Sequence, residues 1–161
     1  MPKLVKFREL QHLDQGHRKQ ILDLLKSERE HAVSERSVKA FFSSPNRFIH
    51  AAFRGGRIVG FALTSINKER GRLSYVLVEP SERYRNIGNR LFLSTLNGLR
   101  NRGAKTASIR RVENNRIIRS LRLSGFPERT ESVNPAQKRF DIPIGNAAEW
   151  AHVEQRVRKF P

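Results

Sequence analysis

Apolar and polar positions divide this chain into short blocks that switch between a period of two and a period of 3.6. Leu4 to Phe7 predicts a first strand. Asp14 fits the N-cap of a helix whose Ile21, Leu22, Leu24 and Leu25 cluster on one side. Ser34 can cap a second helix through Phe41 and Phe42, stopped before Pro45. Arg47 to Arg54 and Arg57 to Ile66 predict two strands joined by a Gly55-Gly56 hairpin turn. A polar loop is expected from Asn67 to Gly71, and a third long strand from Leu73 to Val78. The next helix runs from Ile87 to Asn101, with Leu91, Phe92, Thr95, Leu96 and Leu99 as its apolar stripe and Gly103 as its stop. Lys105 to Val112 predicts a strand. Asn114 to Ser124 predicts a short helix with Ile117, Ile118 and Leu121 inward, Arg116, Arg119 and Arg122 on another side, and Gly125 as terminator. Arg129 to Ser132 and Lys138 to Ile144 predict a late strand pair. Asn146 to Lys159 predicts a terminal amphipathic helix with Trp150, Val153 and Val157 on one side. That order is α/β, with a mostly antiparallel mixed central sheet flanked by helices.

Composition narrows the class. The chain has 161 residues, enough for one domain with one main core, and 37% are apolar. No apolar run reaches the roughly 18 residues of a membrane span, and the N-terminus lacks a signal-like apolar stretch. With no cysteine there is no disulfide framework and no thiolate chemistry. A cytoplasmic protein with no membrane contact and no metal site is expected.

Charge changes the picture further. The net charge is +17, from 32 Lys and Arg against 15 Asp and Glu. Between Arg83 and Arg122 lie ten arginines and Lys105, opposed only by Glu113. Such a field attracts polyanions.

The densest chemistry lies at Val78-Glu79-Pro80-Ser81-Glu82-Arg83-Tyr84-Arg85-Asn86-Ile87-Gly88-Asn89-Arg90-Leu91. A strand meets a proline, then a basic turn, then a helix. The first N–H groups of that helix have no intrahelical acceptor, its dipole favours an anion, and arginine adds forked donors for phosphate. The turn therefore reads as a phosphate cradle.

Arg83-Tyr84-Arg85-Asn86-Ile87-Gly88 resembles motif A of the GNAT superfamily of N-acetyltransferases, Arg/Gln-x-x-Gly-x-Gly/Ala, with Asn86 in place of the first glycine. Asparagine is among the next-best residues for positive φ. Glu113-Asn114 through Gly125-Phe126 resembles motif B, with Asn114, Gly125 and Phe126 in register. The resemblance spans roughly Leu4 to Ile144. It implies a single-domain, GNAT-like acyl-CoA N-acyltransferase fold over residues 1–144, with residues 145–161 as a helical extension packing on the domain or at a subunit interface.

The resemblance also implies acetyl-CoA as cofactor, lying between the strand ending at Val78 and the strand ending at Val112. Its pantetheine arm would pair with backbone groups of Leu77 and Val78. Its pyrophosphate would rest on Arg85, Asn86, Ile87, Gly88, Asn89 and Arg90, assisted by the Arg83 side chain, with Asn114 beside the arm. Bland roles are open too: a helix N-cap for Asn114, helix packing for Gly88, a solvated turn for Arg83 and Arg85. Coenzyme A carries about four negative charges, so the remaining basic field suggests a second acidic partner such as RNA or DNA. Solubility by excess charge is the alternative.

Catalysis departs from the family pattern. Leu121 stands where motif B usually carries a tyrosine acid, and helical geometry turns Ser120 and Ser124 about 100° and 300° away from that direction. Arg72 stands where some members place a glutamate base. Tyr75 and Glu113 are the candidate catalytic residues, with His50 and Glu79 behind them. Each also has a structural reading: Tyr75 in the sheet, His50 as a satisfied strand histidine, the glutamates as strand-end charges. Three functions compete. One is an acetyl-CoA-dependent N-acetyltransferase whose amine acceptor is carried by a nucleic acid or ribonucleoprotein. Another is a catalytically weak acetyl-CoA-binding regulatory or nucleic-acid-binding module. The third is a transferase for small cationic amines, whose groove could lie near Glu28, Glu30 and Glu35. The oligomeric state, monomer or homodimer, is open.

Overall fold

The structure is a computed structural model and describes residues 4–10, 15–27, 35–83, 86–110, 115–130 and 138–160. Its strands are β1 (Val5–Glu9), β2 (Arg47–Arg54), β3 (Arg57–Asn67), β4 (Arg70–Val78), β5 (Thr106–Arg110), β6 (Glu128–Thr130) and β7 (Lys138–Pro143). Its helices are α1 (Gln15–Ser27), α2 (Glu35–Phe41), α3 (Ile87–Asn101), α4 (Asn115–Leu123) and α5 (Ala147–Val157). They form the expected α/β architecture around one seven-stranded sheet, ordered β1-β2-β3-β4-β5-β7-β6. β1 to β4 are an antiparallel meander, β4 and β5 pair in parallel, and β7 returns antiparallel between β5 and β6.

Two apolar layers sandwich the sheet. On one face Ile21, Leu24 and Leu25 of α1 and Val38 of α2 cover Ile49, Phe61, Leu63, Tyr75 and Leu77. On the other, Leu91, Phe92, Leu96 and Leu99 of α3 pack with Leu73, Ala107, Ile109, Phe140 and Ile142. Ile118 and Leu121 of α4, Val153 and Val157 of α5, and Phe160 belong to that second layer. The terminal segment is thereby built into the core: Phe160 stacks on Phe92 with centroids 6.1 Å apart. Asn146 and Glu149 begin α5 with a reciprocal capping box.

Some boundaries differ from expectation for physical reasons. The polar loop of 67–71 shrinks to a turn at Lys68–Glu69, where Lys68 takes a φ of 55°. β4 begins at Arg70, because Arg70, Gly71 and Arg72 are held on both sides, by β3 and by β5. β1 extends to Glu9, which pairs with His50. The expected caps Asp14, Ser34 and Asn114 lie outside the described residues, as do Arg111 and Val112 at the end of the fifth expected strand.

Candidate active site

The site begins with an irregularity in β4. Thr64 pairs with Leu73 and Leu63 with Tyr75, which leaves Ser74 as an extra residue, a β-bulge. A bulge bends its strand and increases the local twist. The parallel pairing with β5 stops one residue earlier, at Leu73 opposite Ile109. From there β4 runs on to Val78 with no described strand on its β5 side. Among the described residues, the parallel pairing of β4 with β5 thus covers only the first half of β4.

Beyond Val78 the chain makes one 3-10 turn, Pro80–Glu82, whose position the β2–β3 hairpin holds. Arg54 donates from Nε and Nη2 to Glu82 at 3.0 and 2.8 Å, and Arg57 donates from Nη1 to both carboxylate oxygens of Glu79 at 2.8 and 2.7 Å. Glu82 is buried. Such paired, charge-assisted bonds fix orientation as well as distance. Arg54, Arg57 and Glu82 were not singled out in the sequence, and Glu79 was weighed only as an acid or base or a strand-end charge. The one available signal is the arginine on each side of Gly55-Gly56, with two glutamates downstream.

Asn86 then takes the left-handed conformation, φ 64° and ψ 13°, just before α3. Its Oδ1 accepts from Asn89 Nδ2 at 2.7 Å, and the same Nδ2 donates to the Phe160 carbonyl at 3.1 Å. The first helical backbone bond is Arg90 N–H to the Asn86 carbonyl, 3.2 Å. The N–H groups of Ile87, Gly88 and Asn89 precede that bond, and the Asn86 side chain does not cap them. A Cβ placed on Gly88 would meet only Val78 Cγ2, at 3.8 Å. Packing among the described residues therefore does not demand glycine there. These features fit a diphosphate.

Arg83 donates from Nε to the Val78 carbonyl at 3.0 Å. The side chain braces the end of β4. Arg90 is exposed, with its guanidinium 4.6 Å from the centroid of Phe7. Leu77 points its buried side chain toward α1 and α2, while Val78 packs with Ile87. Arg85, Glu113 and Asn114 lie outside the described residues.

The candidate acids and bases are dispersed. Tyr75 is buried between the sheet and α1, its ring 6.2 Å from that of Phe61. Glu79 is held by Arg57. His50 sits on β2, two strands from β4, and faces Gly98 of α3. Burial, and secondarily the charge of Arg102, push its pKa down to about 4. Leu121, in the tyrosine position of the motif, is fully buried in the α3-side core. Ser120 accepts at its backbone carbonyl from Ser124 N–H, and the Ser124 carbonyl accepts from Arg156.

The acetyltransferase (GNAT) family model matches residues 18–126. The chain belongs to that family, whose cosubstrate is acetyl-CoA. No curated protein matches it in sequence. Among solved structures, it is similar to the ribosomal-protein-S18-alanine N-acetyltransferase of Escherichia coli, with 17% identity and TM-score 0.70, covering 89% of this chain and 96% of that one. It is also similar to Ard1 from Thermoplasma volcanium, with 15% identity, TM-score 0.60, and 85% and 94% covered. An aminoglycoside 6'-N-acetyltransferase solved with coenzyme A is similar at 17% identity and TM-score 0.63, over 84% and 94% of the two chains. At these identities the likeness is one of fold.

Proposed function

We propose that this protein transfers an acetyl group from acetyl-CoA to a primary amine presented by a nucleic acid or ribonucleoprotein. The observation that supports the reading is the order of the bulged β4, the braced 3-10 turn, the left-handed Asn86 and the uncapped start of α3. In this reading backbone groups of Leu77 and Val78 would pair with an extended arm, N–H groups of Ile87, Gly88 and Asn89 would hold a diphosphate, and Arg85, Arg90 and Asn114 would add further contacts. When bound, the cofactor supplies an activated thioester carbonyl. A backbone N–H of the Leu77–Val78 segment can polarise that carbonyl from a fixed position. The amine must reach the cleft neutral, so a proton has to leave through Tyr75, Glu113 or a water chain. Residues 145–161 are read as an extension that packs on the domain.

The acidic acceptor rests on the +17 charge and on exposed cations such as Arg119. One of the similar structures acetylates a ribosomal protein, which agrees with a ribonucleoprotein acceptor. A second reading, a cofactor-binding module with little turnover, is favoured by the buried Leu121 and by Arg72 in the place of a base.

Release of free thiol from acetyl-CoA, measured against polyamines, peptides, ribosomal proteins and aminoacyl-tRNA, tests both. Turnover with the last two is expected. Tight coenzyme A binding by calorimetry with no turnover would replace the transferase by the module. Absence of binding would remove both.

A further inference from the structure

Three arginine–phenylalanine contacts surround one cavity, far from the phosphate turn. β2 is antiparallel to β3, and β3 to β4, so β2 begins at the end of the sheet where β4 begins, opposite Val78. A cavity of about 430 Å³ lies there, where β1 ends and β2 starts. Arg18 stands 5.1 Å from the centroid of Phe42, Arg47 5.0 Å from that of Phe41, and Arg102 3.4 Å from that of Phe48, and all six line it.

A ring beneath a guanidinium fixes the head by its face and leaves the in-plane N–H donors free. Arg102 gives one donor to Glu9 at 2.7 Å, which offsets the only acid among the described lining residues. The Arg18 and Arg47 guanidinia make no ion pair or hydrogen bond among the described residues. Two cations with no acidic partner among the described residues therefore face an aromatic-walled space within the usual size range of small-ligand sites. A simple carboxylate would use the cations and leave the rings idle. A nucleotide uses both, its phosphate on forked donors and its base against rings or guanidinium planes.

We propose that this cavity is a second binding site, separate from the thioester cleft, for a phosphate-bearing ligand of nucleotide size. The ligand is either a free nucleotide or one unit of a single RNA strand.

The test uses the full chain, with 5′-AMP, ribose 5-phosphate and a short fluorescent single-stranded RNA as probes. Arg18→Gln/Arg47→Gln is compared with Arg129→Gln/Lys159→Gln, which removes the same charge elsewhere. The first variant is expected to lose at least about tenfold in affinity for 5′-AMP or the RNA, and the second less than about twofold, with coenzyme A binding unchanged in both. RNA binding that 5′-AMP displaces assigns the strand as source. Binding of 5′-AMP without RNA binding assigns the free nucleotide. Equal losses in the two variants, no loss in the first, no binding of either probe, or ribose 5-phosphate binding as tightly as 5′-AMP would overturn the proposal.

Discussion

Asn86 does at residue scale what a glycine does in the motif it resembles. A left-handed residue with a side chain costs about 1–2 kcal/mol, and asparagine reduces that cost through local hydrogen bonding. Here the bond goes to Asn89, which also holds the carbonyl of Phe160, so one turn ties the start of α3 to the end of the chain. Asn86→Gly is expected to keep coenzyme A affinity within about twofold, because the backbone stays unstrained. Asn86→Ala should lower stability by about 1 kcal/mol and weaken coenzyme A binding, since alanine resists this φ and offers nothing to Asn89. Thermal melts and calorimetry on the two variants check both expectations. An alanine variant as stable and as tight-binding as the wild type would remove the need for the left-handed turn.

At the scale of elements, the site is a bulged strand and a clamped turn feeding a helix. Glu82 is the buried end of the clamp, and glutamine in its place removes the negative charge and one of the two oxygens that accept from Arg54. Glu82→Gln is therefore expected to loosen the Pro80–Glu82 turn and weaken coenzyme A about tenfold, about 1.4 kcal/mol. Unchanged affinity would mean that the turn holds its shape without the clamp. The elements themselves were largely legible. β2 and α3 have the bounds that their apolar patterns and glycine stops indicate, and Asn86 has the positive φ that a motif glycine supplies. The bulge at Ser74 was not legible, because its residue type is unexceptional and only the register with β3 reveals it. The Arg83 brace was not legible for a related reason. A basic turn residue reads alike whether or not its Nε donates to the carbonyl that ends the preceding strand. The same holds for Arg122, read as one of three arginines on one side of its helix and found bidentate on Glu128 at 3.0 Å through Nε and Nη2.

At the scale of the whole molecule, His50 knits three parts of the fold together. It lies on β2 beneath α3, where a Cβ on Gly98 would collide with its ring, so that helix carries a glycine in its interior at this contact. Glu9 of β1 stands 3.8 Å from its Nε2 and would favour the imidazolium. Burial outweighs it, and Arg102, bound to the same carboxylate, adds opposing positive charge, so the pKa falls to about 4. The sign follows directly. In the unfolded chain His50 takes up a proton near its ordinary value of 6.5, and in the folded chain only near 4. Between those values the unfolded state binds more protons, so stability rises with pH. The contribution is fully present above about pH 6.5 and is lost as pH falls toward 4. Over that whole window it is on the order of 3 kcal/mol, with about 2 kcal/mol of it gone by pH 5. Urea unfolding of the wild type and of His50→Gln at pH 7.5 and pH 5 isolates this contribution, because the carboxylates titrate in both proteins. The wild type is expected to lose about 2 kcal/mol more than the variant between the two conditions. Equal losses would show that His50 is protonated in the folded chain at pH 5 and that α3 closes over the imidazole less tightly than the Gly98 contact indicates.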